Sequence, residues 1–342
     1  MRDDDKMMDL PNEFGSGVIG VCDICGTRQA VIVLNKERYK LCVIDFLNKT
    51  WLKSDKKPGA PAPLYKSDRI FFETKATSSG KAPAIVLSPT KTVRRPVVLV
   101  TPDVYGLTTT VLDGAIRFAR EGFEVLIPDI GKTDAIGPGT HVALRAGARF
   151  GGGVSIRSKR VLGLLHLYTD ALATLRDRDM VDPAKTALFG ASYGASLALV
   201  LASQDTKISA AVVAYPYPLS PPDLVKLVTS PVFFIGGTAD RHAQKAKAQL
   251  LQTGRSASST VGLFEPNGAH HGFLARDLSA YDLPQAELAW TKALAFVKAR
   301  LMPPPPKPPM PPGARVIGAT GVVNPSTLGS TPVPAAIAIP SD

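Results

Sequence analysis

Three residues of this chain have the types and the order needed for acyl transfer: Ser192, Asp240 and His271. Ser192 lies in Gly190-Ala191-Ser192-Tyr193-Gly194, which interrupts the apolar run Ala187-Leu188-Phe189 and leads into an Ala/Leu/Val-rich segment. That context reads as a sharp strand-to-helix turn whose flanking glycines let a serine hydroxyl project from the top of a sheet. The pentapeptide alone is a weak signal, expected by chance about 0.15 times in a chain of this composition. A serine hydroxyl is also a poor nucleophile at neutral pH. An imidazole must take its proton, and a carboxylate must hold that imidazole in one tautomer. Asp240 follows the apolar run Val232-Phe233-Phe234-Ile235, and His271 follows a β-prone segment at 260–264.

Residues so far apart in sequence meet only if the intervening chain brings them to one place. The pattern predicts an antiparallel hairpin from strands 69–75 and 82–87 with a turn at 77–80, then a regular alternation. Strands are predicted at 97–101, 124–128, 185–189, 210–215, 232–235 and 260–264. Helices are predicted at 108–120 with a Thr108 cap, and at 159–178, 193–203, 244–252 and 285–300. A long Gly-rich connection occupies 131–157. Such alternation implies an α/β fold with a mainly parallel sheet and helices on both faces. In that architecture functional side chains gather beyond the carboxyl ends of the strands, where Ser192, Asp240 and His271 all fall. Their chain order, Ser then Asp then His, is the one α/β-hydrolases use.

Three further segments carry a family resemblance over roughly residues 64–301. They are Pro102-Asp103-Val104-Tyr105-Gly106-Leu107, the run from Ala119 to Asp129 containing Glu121-Gly122-Phe123 and Ile127-Pro128-Asp129, and His271-Gly272-Phe273. Together they resemble the dienelactone hydrolase family of the α/β-hydrolase superfamily. The resemblance implies that His271 rather than His270 is the base, and that the backbone N–H groups of Val104 and Tyr193 form an oxyanion hole. It implies an acid beside the nucleophile, the place of Asp103, and arginines that bind a substrate carboxylate. Arg145, Arg149 and Arg276 are the counterparts available, with a surface salt bridge as the alternative for Arg276. Prototypes of the family carry Cys in the elbow and Glu beside it; this chain has Ser192 and Asp103.

Composition adds modules and bounds. The three cysteines are Cys22, Cys25 and Cys42, too few and too local for a secreted disulfide framework. With Asp45 they make a C-x2-C, C-x2-D pattern resembling a zinc-ribbon or treble-clef module over 18–53. A structural zinc on Cys22, Cys25, Cys42 and Asp45 is one expectation; three free thiols are the alternative. Residues 1–17 read as a flexible leader, 54–63 as a Lys/Pro/Ala linker, 64–301 as the hydrolase domain and 302–342 as a disordered Pro-rich tail. No signal-peptide layout and no long apolar run occur, which points to a cytoplasmic protein with no membrane partner.

The net charge of +11 includes six basic residues between Lys132 and Arg160 against Asp134 alone. A solvated loop and attraction of an anionic substrate both account for that. Nucleic-acid binding would call for interleaved aromatics, and only Phe150 lies in the stretch. The chain therefore reads as a serine hydrolase of carboxylic esters or lactones, working through an acyl-enzyme with no catalytic cofactor. The alternative is a hydrolase-fold scaffold recruited through its zinc module and Pro-rich tail. Thioester or peptide hydrolysis is a third reading.

Overall fold

A computed structural model describes residues 64–91, 93–103, 105–133, 153–252, 260–276 and 278–302, together with the backbone of 19–21, 28–33 and 40–42. The leader, the linker and the tail from 303 onward lie outside the described residues, as do Cys22, Cys25 and Asp45; Cys42 is described as backbone alone. Strands β1 (Ile19–Val21), β2 (Arg28–Val33) and β3 (Lys40–Cys42) form a small antiparallel sheet in that order. The three-residue β1 is too short to show a period and escapes a sequence reading.

The main sheet has eight strands. β4 (Tyr65–Glu73) and β5 (Lys81–Pro89) form the expected hairpin, and β6 (Arg95–Thr101), β7 (Glu124–Pro128), β9 (Val181–Ala191), β10 (Ile208–Ala214), β12 (Val232–Ile235) and β13 (Val261–Phe264) follow. Their spatial order is β13-β12-β10-β9-β6-β7-β5-β4. The six from β13 to β7 run parallel, while β5 pairs antiparallel with both β7 and β4. The inner parallel strands are buried on both faces, which explains their apolar runs: every residue of β7 and β12 is buried, whereas β13 at the sheet edge is only partly covered. A two-residue parallel pair, β8 (Val154–Ser155) with β11 (Leu219–Ser220), was not expected.

The helices are α1 (Thr109–Arg120), α2 (Lys159–Arg176), α3 (Tyr193–Gln204), α4 (Arg241–Gln252) and α5 (Leu283–Leu301). From β6 the chain steps through α1 to β7 on one side, then returns through α2 to β9 on the other. Because such crossovers are right-handed, a reversal of direction puts α1 and α2 on opposite faces. The contacts agree: α1 packs on α5, and α2 packs on α3. The reversal falls between β6 and β9, so a crevice opens beyond their carboxyl ends. Thr108 does precede α1 in an extended conformation, but its side chain makes no capping bond.

The opposite end of the sheet is locked by a buried charge. Glu124, whose side chain is 0% exposed, begins β7 and accepts bonds from Arg95 Nε (2.8 Å), Arg178 Nε (2.7 Å) and Ser88 Oγ (2.8 Å). These partners come from β6, from the turn after α2 and from β5, so one carboxylate ties four segments together. A buried charge stripped of a partner is costly. Glu124→Gln is expected to lower unfolding stability by about 3 kcal/mol, seen as a lower urea midpoint. An unaltered midpoint would mean that the two guanidinium groups find equivalent partners without it.

Candidate active site

The site is built where four neighbouring strands end in register. Ala191, Ala214, Ile235 and Phe264 form one row across β9, β10, β12 and β13. Ser192 is the residue after the first of these, and Asp240 and His271 lie in the loops after the last two. This common terminus converts three distant sequence positions into neighbours.

Ser192 sits between β9 and α3 with φ 56° and ψ −124°, a backbone state that non-glycine residues rarely hold. Its own N–H donates to Ala214 O at 2.8 Å, which fastens the turn to β10. The second glycine of the motif is required by close approach: a Cβ on Gly194 would lie 2.1 Å from Thr101 O and 2.5 Å from Pro102 O. The hydroxyl of Thr101 reaches the Gly194 carbonyl at 2.8 Å and so joins the end of β6 to the start of α3.

The other two members are brought in by loops that are stitched to each other. Thr238 N and Ala239 N donate to Pro266 O and Ala269 O, each at 3.2 Å, and Gly268 N donates to Thr238 Oγ1 at 2.8 Å. Gly237 permits this contact, since a Cβ there would come within 1.9 Å of Ala269 O. As a result His271 Nδ1 lies 2.7 Å from Asp240 Oδ2, and His271 Nε2 lies 3.0 Å from Ser192 Oγ. The structure therefore brings together all three residues predicted to act as a unit. His270, the neighbour set aside by the resemblance, is exposed.

Asp240 has two roles. Its Oδ1 accepts the backbone N–H groups of His242 (3.0 Å) and Ala243 (3.1 Å), capping α4, while Oδ2 faces the imidazole. This cap explains why α4 begins at Arg241 rather than at the expected 244. Burial alone would raise the Asp240 carboxyl, but the charge and hydrogen bond of His271, the Ala243 N–H and the charge of His242 outweigh it. The group is held below its ordinary range.

Of the expected oxyanion donors, Tyr193 is the first residue of α3, so its N–H has no partner within the helix and stands beside Ser192. Val104 lies outside the described residues, as do Arg145 and Arg149. The described residues on either side are bonded to each other: Tyr105 N donates to Asp103 Oδ1 (2.6 Å) and Gly106 N to Asp103 O (3.0 Å). Tyr168, buried on α2, donates to Pro102 O at 3.3 Å. Burial pushes its hydroxyl well above the ordinary range, with Asp103 and Tyr193 adding to the effect, so it remains a donor. Arg276 is engaged with a protein carboxylate, its Nε lying 2.7 Å from Oδ2 of the buried Asp113 on α1.

Two residues absent from the sequence reading border the imidazole. The Tyr215 and His271 rings make a T-shaped pair with centroids 4.8 Å apart, and the Tyr217 ring lies at 5.4 Å from His271. The available signal was Tyr-Pro-Tyr at the end of a predicted strand, where side chains reach the carboxyl edge of the sheet. Among the described residues no group of three or more His, Cys, Asp or Glu is placed to hold a metal ion, and no helix is long and apolar enough to cross a membrane.

Strand order, crossovers and elbow define an α/β-hydrolase fold. Residues 82–301 match the dienelactone hydrolase family, and the chain belongs to that family. Over 229 residues it is 26% identical to a protein of Bradyrhizobium sp. named probable 2-oxo-3-(5-oxofuran-2-ylidene)propanoate lactonase, a match covering 64% of this chain and 89% of that one. Among solved structures it is similar to a protein of Klebsiella pneumoniae named putative dienelactone hydrolase (TM-score 0.55, 18% identity, 68% of this chain and 98% of that one). A dienelactone hydrolase-like promiscuous phosphotriesterase from metagenomic libraries is comparable (TM-score 0.54, 18% identity, 70% and 99%). At that identity both likenesses concern the fold.

Proposed function

We propose that the protein is a serine hydrolase that cleaves carboxylic esters or lactones through an acyl-enzyme. The observation that carries this reading is the continuous path from Ser192 Oγ through the His271 ring to Asp240, at 3.0 and 2.7 Å. In the first half-reaction His271 Nε2 takes the Ser192 proton as Oγ bonds to the acyl carbon, and then delivers it to the leaving alkoxide. In the second, His271 takes a proton from water, which attacks the acyl carbon, and returns it to Ser192. The N–H of Tyr193 stabilises the oxyanion, with Val104 as its expected companion. The lactonase relative supports a cyclic ester among the substrates. An intact three-residue relay is surplus to a scaffold, which disfavours the recruitment reading.

Treating the protein with a fluorophosphonate probe is expected to place one adduct on Ser192, located by mass spectrometry of the digested chain. An adduct on another residue, or none, would refute this assignment.

A further inference from the structure

We propose that Arg276 is a positioning residue: paired with the buried Asp113, it anchors the segment that follows His271 rather than binding an anionic group of the substrate. The inference rests on reading Ser192, His271 and Asp240 as the reacting set, because what the anchor holds in place is the base. Asp113 lies on α1, and its side chain is 4% exposed. A carboxylate withdrawn from water to that extent is costly unless a cation stands against it. Arg276 supplies one, with Nε 2.7 Å from Asp113 Oδ2. The arginine side chain is 41% exposed, so of the two partners the acid loses more on separation. That asymmetry keeps the guanidinium turned to the protein.

Arg276 lies five residues after His271, in a stretch wound tightly enough to pass on a restraint. Gly272 takes φ 81°, and a Cβ there would meet Leu278 Cδ1 at 2.6 Å. Ala275 N donates to Gly272 O at 2.8 Å, and Leu278 N to Ala275 O at 3.1 Å. Phe273 is buried, and its carbonyl accepts at 3.1 Å the N–H of Asp282, whose side chain caps α5 through Gln285 N. Phe273 and Asp282 thus close a loop whose arginine reaches across to α1. Thr110, Asp113 and Arg117 share one face of that helix. The outer two also grip the surroundings of the loop: Thr110 Oγ1 lies 3.3 Å from the Tyr215 hydroxyl, and Arg117 Nη1 donates to Glu287 Oε2 on α5 at 2.9 Å.

The chain before His271 is stitched to the Asp240 loop by the bonds of Ala239 and Gly268, and Asp113 with Arg276 restrains the chain after it. The imidazole must keep Nε2 at 3.0 Å from Ser192 Oγ and Nδ1 at 2.7 Å from Asp240 Oδ2. A displacement of about 1 Å, caused by a change remote from the chemistry, can cost about 10²-fold in rate. Both half-reactions use this ring, so loss of the anchor falls on kcat whichever half limits. A guanidinium whose charge is met by Asp113 has correspondingly less attraction left for a substrate anion.

The test compares Arg276→Gln, Asp113→Asn, Arg276→Lys and the double variant Asp113→Asn/Arg276→Gln in the full chain. It reads kcat and KM for p-nitrophenyl acetate, which is uncharged, and for 4-acetoxy-3-nitrobenzoate, an acetyl ester that carries a carboxylate. Arg276→Gln and Asp113→Asn are each expected to lose about tenfold in kcat on both esters, with KM within about twofold. Arg276→Lys keeps a cation within reach of Asp113 and should stay within about threefold of the unaltered kcat. An arginine that binds the substrate anion gives a different pattern: Arg276→Gln raises KM about tenfold for the carboxylate ester alone, and Asp113→Asn, which frees the guanidinium, lowers it. That pattern, or a lysine variant no better than glutamine, would overturn the anchor. The double variant leaves no unpaired charge in the interior, so it decides should circular dichroism show a single variant misfolded. A loss of about tenfold in its kcat with KM unmoved supports the anchor, and a full kcat removes it. Failure of the unaltered protein to label at Ser192 would bring down the hydrolase reading and the anchor with it. Normal labelling with unaffected variants would remove the anchor only.

Discussion

Ser192→Ala and His271→Ala are each expected to lower kcat for p-nitrophenyl acetate by about 10⁶-fold, and the double substitution should cost no more than either alone. The reason is geometric. His271 Nε2 lies 3.0 Å from Ser192 Oγ, where the base of the proposed relay would have to stand. Without the imidazole the hydroxyl keeps its proton; without the hydroxyl the imidazole has no nucleophile to activate. What survives is the activity contributed by the oxyanion donors and substrate binding, about 10³-fold over water in comparable relays. Steady-state kinetics on the three variants settle the matter. Multiplying effects in the double variant would mean that the two residues act separately, and the relay would have to be abandoned. KM should move little, because neither group is required to hold the ground-state ester.

Asp240→Asn should cost about 10⁴-fold in kcat while leaving the fold in place. An amide can still accept the N–H groups that cap α4 through one oxygen, but it then presents an NH₂ to His271 Nδ1. The ring must answer with an unprotonated Nδ1, which moves its proton to Nε2 and turns a donor toward Ser192. The opposite amide orientation sets NH₂ against the backbone N–H groups of His242 and Ala243. Either way one of the two roles is lost.

Stability adds a pH signature with a definite sign. The folded carboxyl is held below its unfolded value, so its contribution is fully present above the ordinary carboxylate range and is lost as pH falls through the folded value. The stability gap between the unaltered protein and Asp240→Asn should therefore narrow on acidification, measured by urea unfolding at successive pH values. A gap that widened as pH fell would reverse the inferred direction.

Several features of the site were legible without coordinates because they are local. The strand before Ser192, the helix after it and the two glycines around it are read from a run of eleven residues, and Val232–Ile235 was located to the residue. The inner parallel strands are buried on both faces, so their apolar runs carry a clear signal. Boundaries set by side-chain caps were less legible: α4 starts three residues early because Asp240 supplies its first acceptor, and nothing in the helical period reports that. The pair β8 and β11 was missed since two residues cannot display a period.

By itself the sequence determined the alternation of elements, the order in which Ser192, Asp240 and His271 follow their strands, and the family to which the chain belongs. These follow from residue type, order and short-range spacing. Only the tertiary structure decided what surrounds them. The shared terminus of β9, β10, β12 and β13 is a matter of register between strands tens of residues apart. The commitment of Arg276 to the buried Asp113, and the placing of Tyr215 and Tyr217 beside His271, depend on loops crossing from different strands. Register and loop crossing are set by packing over the whole core, so no short stretch of chain encodes them.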